Sequence, residues 1–145
     1  MASQEGINQD QTVDPGIDAR LQTRDIAEKL ATLPECSVLL TLVREAEAEY
    51  ILRRSGLRTL LAPRNEALND VRPDNVEEFL ERHLLPGGQE TFDLRRCQQI
   101  KTIAGTLLPV KQEDGNIRIG NAMITRSDIP CTNGVIQIVD SAVSA

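Results

Sequence analysis

Apolar residues change their spacing once along this chain, and the change divides it into a helical half and a strand half. Ile26, Leu30 and Leu33 fall on one helical face, and Asp25 followed by Glu28 has the form of a capping box at its start. Pro34 ends that helix. A second helix is predicted from about Ser37, with Leu39, Leu42, Val43, Ala46 and Tyr50 as its apolar stripe and Ser55-Gly56 as its stop. Leu57 to Pro63 reads as a short strand. Asn65 is then placed to cap a short helix through Ala67 and Leu68. Asp74 or Asn75 caps another, whose Val76, Phe79, Leu80, His83 and Leu84 stand at i, i+3, i+4, i+7 and i+8. The only histidine is thereby predicted on a buried face.

After Leu85-Pro86-Gly87-Gly88 the period drops to about two. Strands are predicted around Ile100–Ile103, Leu107–Gln112, Ile117–Ile119, Met123–Thr125 and Val135–Val139. Glu113-Asp114-Gly115-Asn116 reads as a hairpin turn, and Gly120-Asn121 as a break. Helices followed by antiparallel strands imply an α+β fold, with the helices gathered to one side or end of a sheet system. Residues 1–22 are polar, contain Asp14-Pro15-Gly16 and show little periodicity, so they are expected to be a mobile polar tail, with a single domain over 23–145.

A chain of 145 residues can bury roughly 68–70% of its unfolded surface, so neither a metal nor a disulfide is required for a core. The net charge of −6 and an aromatic content of 2% argue against nucleic acid, which needs cations for phosphates and rings for bases. No apolar run approaches the ~18 residues of a membrane span. The N-terminus lacks a charged-then-apolar leader, which fits either a cytosolic protein or a chain that begins after an export signal. Cys36, Cys97 and Cys131 form no paired framework and are expected to be free thiols in a monomer. The pairs Arg53-Arg54 and Arg95-Arg96 have the chemistry to hold a carboxylate or sulfate, although such pairs are usually just solvated.

Candidate chemistry is sparse. A hydrolytic triad or a metal centre needs more than one histidine or a spaced carboxylate cluster, so no catalytic, metal or cofactor residue is assigned. His83 is expected to be a neutral core residue with both ring nitrogens bonded. Asn65 is expected to act as cap and bridge, Asn133-Gly134 as the tight turn before the last strand, and Asp140 as a turn or cap at that strand's end.

Three segments in order, TLLAPRNEAL (Thr59 to Leu68), RHLLPG (Arg82 to Gly87) and SDIPCTNGVIQIVDSAV (Ser127 to Val143), resemble the fasciclin-type adhesion domain. The resemblance covers about Asp25 to Val143. It implies a wedge of two β-sheets with helices alongside, in which the last motif supplies a central strand that pairs with the strand of the first motif and brings the chain ends together. It also implies a non-catalytic adhesion or binding module recognising a protein or a cell-surface or matrix polysaccharide, in an extracellular or cell-envelope setting; the chain's own start leaves the cytoplasm open. The alternative is a structural or self-associating domain from a longer protein. In several animal members a Tyr-His pair and an Asp-Ile pair take part in adhesion, and the matching positions are Arg82-His83 and Asp128-Ile129. The tyrosine is replaced, and Ile129 is expected in the core with Asp128 bonding nearby backbone amides. Arg64 stands where a small hydroxyl residue is usual, Leu61 and Leu68 where aromatics are common, and Gln137 where histidine is frequent.

Overall fold

The computed structural model describes residues 23–69 and 71–144; the tail expected over residues 1–22 lies outside the described residues. The helical half comes first. Helix α1, Ile26–Leu30, starts with the predicted capping box: Asp25 Oδ1 accepts from the Glu28 amide at 2.8 Å while Glu28 Oε1 accepts from the Asp25 amide at 2.9 Å. Pro34 opens a 3-10 turn, Pro34–Cys36, which leads into α2, Ser37–Glu45.

The long second helix of the sequence reading is two helices in the structure, because α2 stops at Glu45 and α3 spans Glu49–Leu52. Glu47 takes the left-handed conformation (φ 55). The Ala48 amide reaches back to Val43 O at 2.9 Å and the Glu47 amide to Arg44 O at 3.0 Å, the two bonds of a Schellman ending in which glycine is the usual residue. The break turns Ala48, Ile51 and Leu52 into the core. Replacing Glu47 with glycine is expected to raise stability by about 0.5–1 kcal/mol, read as a higher midpoint in urea, because the left-handed penalty of a Cβ is removed.

The strands are β1 (Arg58–Pro63), β2 (Leu84–Pro86), β3 (Gln99–Lys101), β4 (Leu107–Glu113), β5 (Asn116–Ile119), β6 (Ala122–Cys131) and β7 (Gly134–Val139), with α4 (Val76–Arg82) before β2 and α5 (Thr91–Leu94) after it. They form one hydrogen-bonded order, β2-β1-β7-β6-β5-β4-β3. β7 is interior: it pairs in parallel with β1, Arg58 to Pro63 facing Gly134 to Val139 one for one, and antiparallel with β6. All six of its residues are buried, as expected of a strand covered on both faces. The ten-residue β6 links the two halves, because Ala122 and Met123 pair with β5 whereas the strand from Ile124 onward pairs with β7 across two register shifts. The two sheets that the resemblance implies are thus joined through one shared, bulged strand.

Alternation along the strands separates two cores. Leu60, Ala62, Leu84, Ile136 and Ile138 face the helices and pack with Leu30, Leu39, Leu52, Phe79 and Leu80. Leu61, Leu85 and Val139 face the other way and pack with Leu108, Ile117, Ile119 and Ile124. The outer strands do not stay apart: the Ile103 amide, just after β3, donates to Leu84 O in β2 at 2.8 Å. That contact covers an edge that would otherwise be open for pairing.

Three further differences from the sequence reading have local causes. Leu84, expected as the last helical residue, is already extended, since Pro86 biases Leu85 away from the helix and His83 closes α4. β6 runs past the expected Met123–Thr125 to Cys131; beyond Met123 it has no strand on its far side among the described residues, a setting that tolerates Pro130. The described chain ends are also not brought together. Arg24 O accepts from the Thr132 amide before β7, whereas Ser144 bonds Asn121 near the opposite end of the β6–β7 hairpin.

Candidate functional site

The residues singled out in the sequence fall into five separate places, and most of them turn inward. At the start of β7, Asn133 Oδ1 accepts from the Ile26 amide at 2.9 Å, and its Nδ2 donates to Leu52 O at 2.9 Å and Arg54 O at 3.3 Å. One amide side chain therefore ties the beginning of α1 to the end of α3. Gly134 follows with φ +149, and a Cβ built there would lie 1.7 Å from Arg58 O. Only glycine lets β1 approach this closely.

His83 is fully buried. Its Nδ1 lies 2.8 Å from Phe79 O, and its Nε2 accepts from the Val143 amide at 2.8 Å. A backbone donor at Nε2 and a backbone acceptor at Nδ1 define the neutral tautomer protonated at Nδ1. Burial lowers the ring's pKa from 6.5 to about 4, against the opposing pull of the Phe79 carbonyl. The ring also stacks on Phe79 at 4.2 Å between centroids. Arg82, its neighbour in the pair, extends over the Phe79 ring instead, with its guanidinium carbon 5.8 Å from the centroid.

Asp128 sits within the second register shift of β6, in a left-handed conformation (φ 59). Its Oδ1 accepts from the Thr91 amide and from Gln137 Nε2, both at 2.8 Å, and Oδ2 accepts from the Thr91 hydroxyl at 2.7 Å. Gln137 returns the contact by accepting from the Asp128 amide at 2.9 Å and donating to Gln89 O at 3.0 Å. Partial burial acts to raise the Asp128 pKa, but the hydrogen bonds from Gln137 and Thr91 together outweigh it and hold the carboxyl below its usual value. Ile129 is buried at 5% exposure in the helix-side core. Asp140 closes the other end of the hairpin, where its Oδ1 accepts from the Met123 amide at 2.9 Å.

Asn65 corrects one expectation. It opens the 3-10 turn Asn65–Leu68 without capping it. Its Oδ1 instead accepts from the Val38 amide at 2.8 Å, and its Nδ2 donates to Pro34 O and Ser37 Oγ. It thus caps α2, whose own N-cap residue, Cys36, makes no side-chain cap. Asn65→Ala is expected to cost about 1–2 kcal/mol in chemical denaturation, with hydrogen-exchange protection lost first at the start of α2.

The cysteines are free, and burial pushes the Cys36 and Cys131 thiols up to about 12, which leaves them protonated and unreactive at neutral pH. Sequence reasoning gave Gln137 too little weight. A polar residue in the middle of an uninterrupted β-branched run was the signal, because a buried polar side chain in a strand must find partners.

Three openings face solvent, one of them about 190 Å³ along α2 and lined by Val38, Thr41, Leu42 and Arg72 among others. A smaller one of about 120 Å³ lies beside α5, lined by Thr91, Arg95, Asn116, Thr125 and Ser127 among others. The largest of the three, about 430 Å³, lies between the Pro34–Cys36 turn, the Arg64–Glu66 segment and the bulge of β6, and is lined by Glu35, Arg64, Asn65, Glu66, Thr125 and Arg126. Among the described residues, no group of three His, Cys, Asp or Glu side chains is placed to hold a metal ion, and no helix is long and apolar enough to cross a membrane.

Comparison with known proteins follows the same lines. A family model for the Fasciclin domain matches residues 34–144. Protein sll1483 of Synechocystis is 26% identical over 130 residues, covering 81% of this chain and 72% of that protein. Human periostin is 26% identical over 129 residues and mouse stabilin-2 25% over 129, but the chain spans only 15% and 5% of their respective lengths. In structure, the chain resembles the FAS1 domain pair of the insect cell adhesion molecule fasciclin I, with a TM-score of 0.71 and 19% identity, covering 86% of this chain and 52% of that one.

Proposed function

This chain belongs to the fasciclin domain family, and on that premise we propose that it is a non-catalytic binding module that recognises a protein or a cell-surface or matrix polymer in the extracellular space or cell envelope. The observation that carries the reading is the family match over 34–144, in a family that includes a cell adhesion molecule. The inward use of the chain's polar motif residues supports it. His83 has both ring nitrogens engaged with backbone, and Asp128 shares its carboxylate between Thr91 and Gln137. Neither offers a general base to a substrate, and recognition then falls to the exposed surface.

The same geometry speaks against adhesion through the Arg82-His83 and Asp128-Ile129 positions. A receptor-reading Asp-Ile pair needs a free carboxylate and an exposed apolar anchor, and here the carboxylate is bonded and the isoleucine buried. A second reading, a spacing or self-associating unit of a longer protein, is favoured by how small a part of periostin and stabilin-2 this chain spans.

Retention of the purified domain on cell-wall and matrix fractions tests the first reading. Saturable retention is expected at concentrations where the domain sediments as a monomer. Absence of retention together with concentration-dependent association would replace it with the second.

A further inference from the structure

The largest of the three openings carries more chemistry than a solvated surface requires. Its lining holds two guanidinium groups, two carboxylates, one amide and one hydroxyl, and no apolar side chain. Arg126 Nη1 meets Glu35 Oε1 at 2.9 Å and Arg64 Nη2 meets Glu66 Oε2 at 3.5 Å, so the formal charge of the lining is zero. Each contact engages one nitrogen and one oxygen. The other carboxylate oxygens and the remaining guanidinium N–H groups have no partner among the described residues.

The frame around these groups is fixed. Asn65 is held by three bonds to the start of α2 and the turn before it. Thr125 and Arg126 sit at a register shift of β6, and a bulge at such a place re-aims side chains that a regular strand would lay flat. Thr125 is anchored to Ile138 O through its hydroxyl at 3.3 Å, which leaves its oxygen able to accept.

We infer that this cleft is a subsite for a neutral sugar unit of a polysaccharide. Planar bidentate donors set beside planar bidentate acceptors match the adjacent hydroxyls of a pyranose, each of which can donate and accept. Charge neutrality disfavours an anionic ligand, since each added charge would meet a carboxylate already facing its own guanidinium. No apolar residue lines the cleft to receive a peptide anchor. The volume of about 430 Å³ falls within the size range of small-ligand sites. This inference rests on the binding-module reading and narrows its ligand to a neutral glycan.

The test is a titration of the ¹⁵N-labelled domain with methyl β-glucoside, cellobiose and mannobiose, and with sodium glucuronate as the charged comparison. At least one neutral sugar is expected to shift amides of residues 34–38, 64–66 and 124–127 with saturation in the millimolar range. The double variant Glu35→Gln/Arg126→Gln keeps the charge balance and is expected to weaken that binding about tenfold or more while melting close to the parent. No shift with any neutral sugar, shifts centred elsewhere, preference for glucuronate, or full binding by the double variant overturns the proposal. Retention on cell-wall and matrix fractions, measured on both proteins in parallel, separates the two levels. If retention persists in the absence of sugar shifts, the subsite falls and the module reading stands.

Discussion

Gly134→Ala is expected to leave no cooperatively folded protein. An added Cβ would sit 1.7 Å from Arg58 O and 2.8 Å from Arg58 C, and both are backbone atoms of the strand that β7 must pair with. Relief requires moving β1 and β7 apart, which breaks a parallel ladder that runs from Arg58 and Gly134 to Pro63 and Val139. That ladder also positions both cores, because Leu60 and Ile136 face one and Leu61 and Val139 the other. A loss above about 4 kcal/mol follows, a large share of the 5–15 kcal/mol by which such domains are stable. Circular dichroism and the soluble yield read it directly. Gly88→Ala is the control, since its Cβ would meet nothing closer than Val135 Cγ2 at 3.9 Å. A Gly134→Ala protein that melts within a few degrees of the parent would show that the approach of β1 is not as tight as described.

Acidification from pH 7 to pH 4 is expected to remove about 3 kcal/mol of stability through His83 alone. The folded ring titrates near 4 and the unfolded one at 6.5. Between these values the unfolded chain binds the proton that the native state refuses. Stability is therefore fully present above about 6.5, falls as pH drops, and levels off below about 4. Asp128 acts in a different window: its folded pKa is lowered, so its contribution is present above the ordinary carboxylate value and is lost only as pH falls through that lower pKa. Urea midpoints collected between pH 7.5 and 3 resolve the two. In His83→Gln the upper slope should vanish, along with about 1–3 kcal/mol of stability at pH 7 from lost stacking and imperfect replacement of the two backbone bonds. A parent protein whose midpoint is flat from pH 6.5 to 4 would contradict the buried neutral ring.

What the sequence revealed was what local chemistry decides. The capping box at Asp25 and Glu28, the Asn75 cap of α4 and the β-branched run of β7 each lie within a few residues of their cause, and each is present in the structure. The Asn65 cap was legible as a capping residue but not in its target, because the amide it serves is 27 residues away. The Asp128 network draws on Thr91, 37 residues away, and on Gln137 across the hairpin, and no periodicity encodes such meetings. The break at Glu47 was hidden for another reason. Left-handed turns usually announce themselves with glycine, and here a glutamate tolerates the conformation because the core gains Ala48, Ile51 and Leu52.

The central position of β7 bears on how the chain is made as well as on how it stands. Synthesis runs from the N-terminus, and the strand that separates β1 from β6 is the last of the described strands to be completed. Until then β1 can form its short antiparallel pairing with β2, but its other edge is an unpaired apolar ladder, and neither core can close. Closure of the domain therefore waits for this strand and is governed by contacts between distant parts of the chain, which makes it slow for its size. The same exposed edge is what a chaperone or a neighbouring nascent chain would meet during that interval.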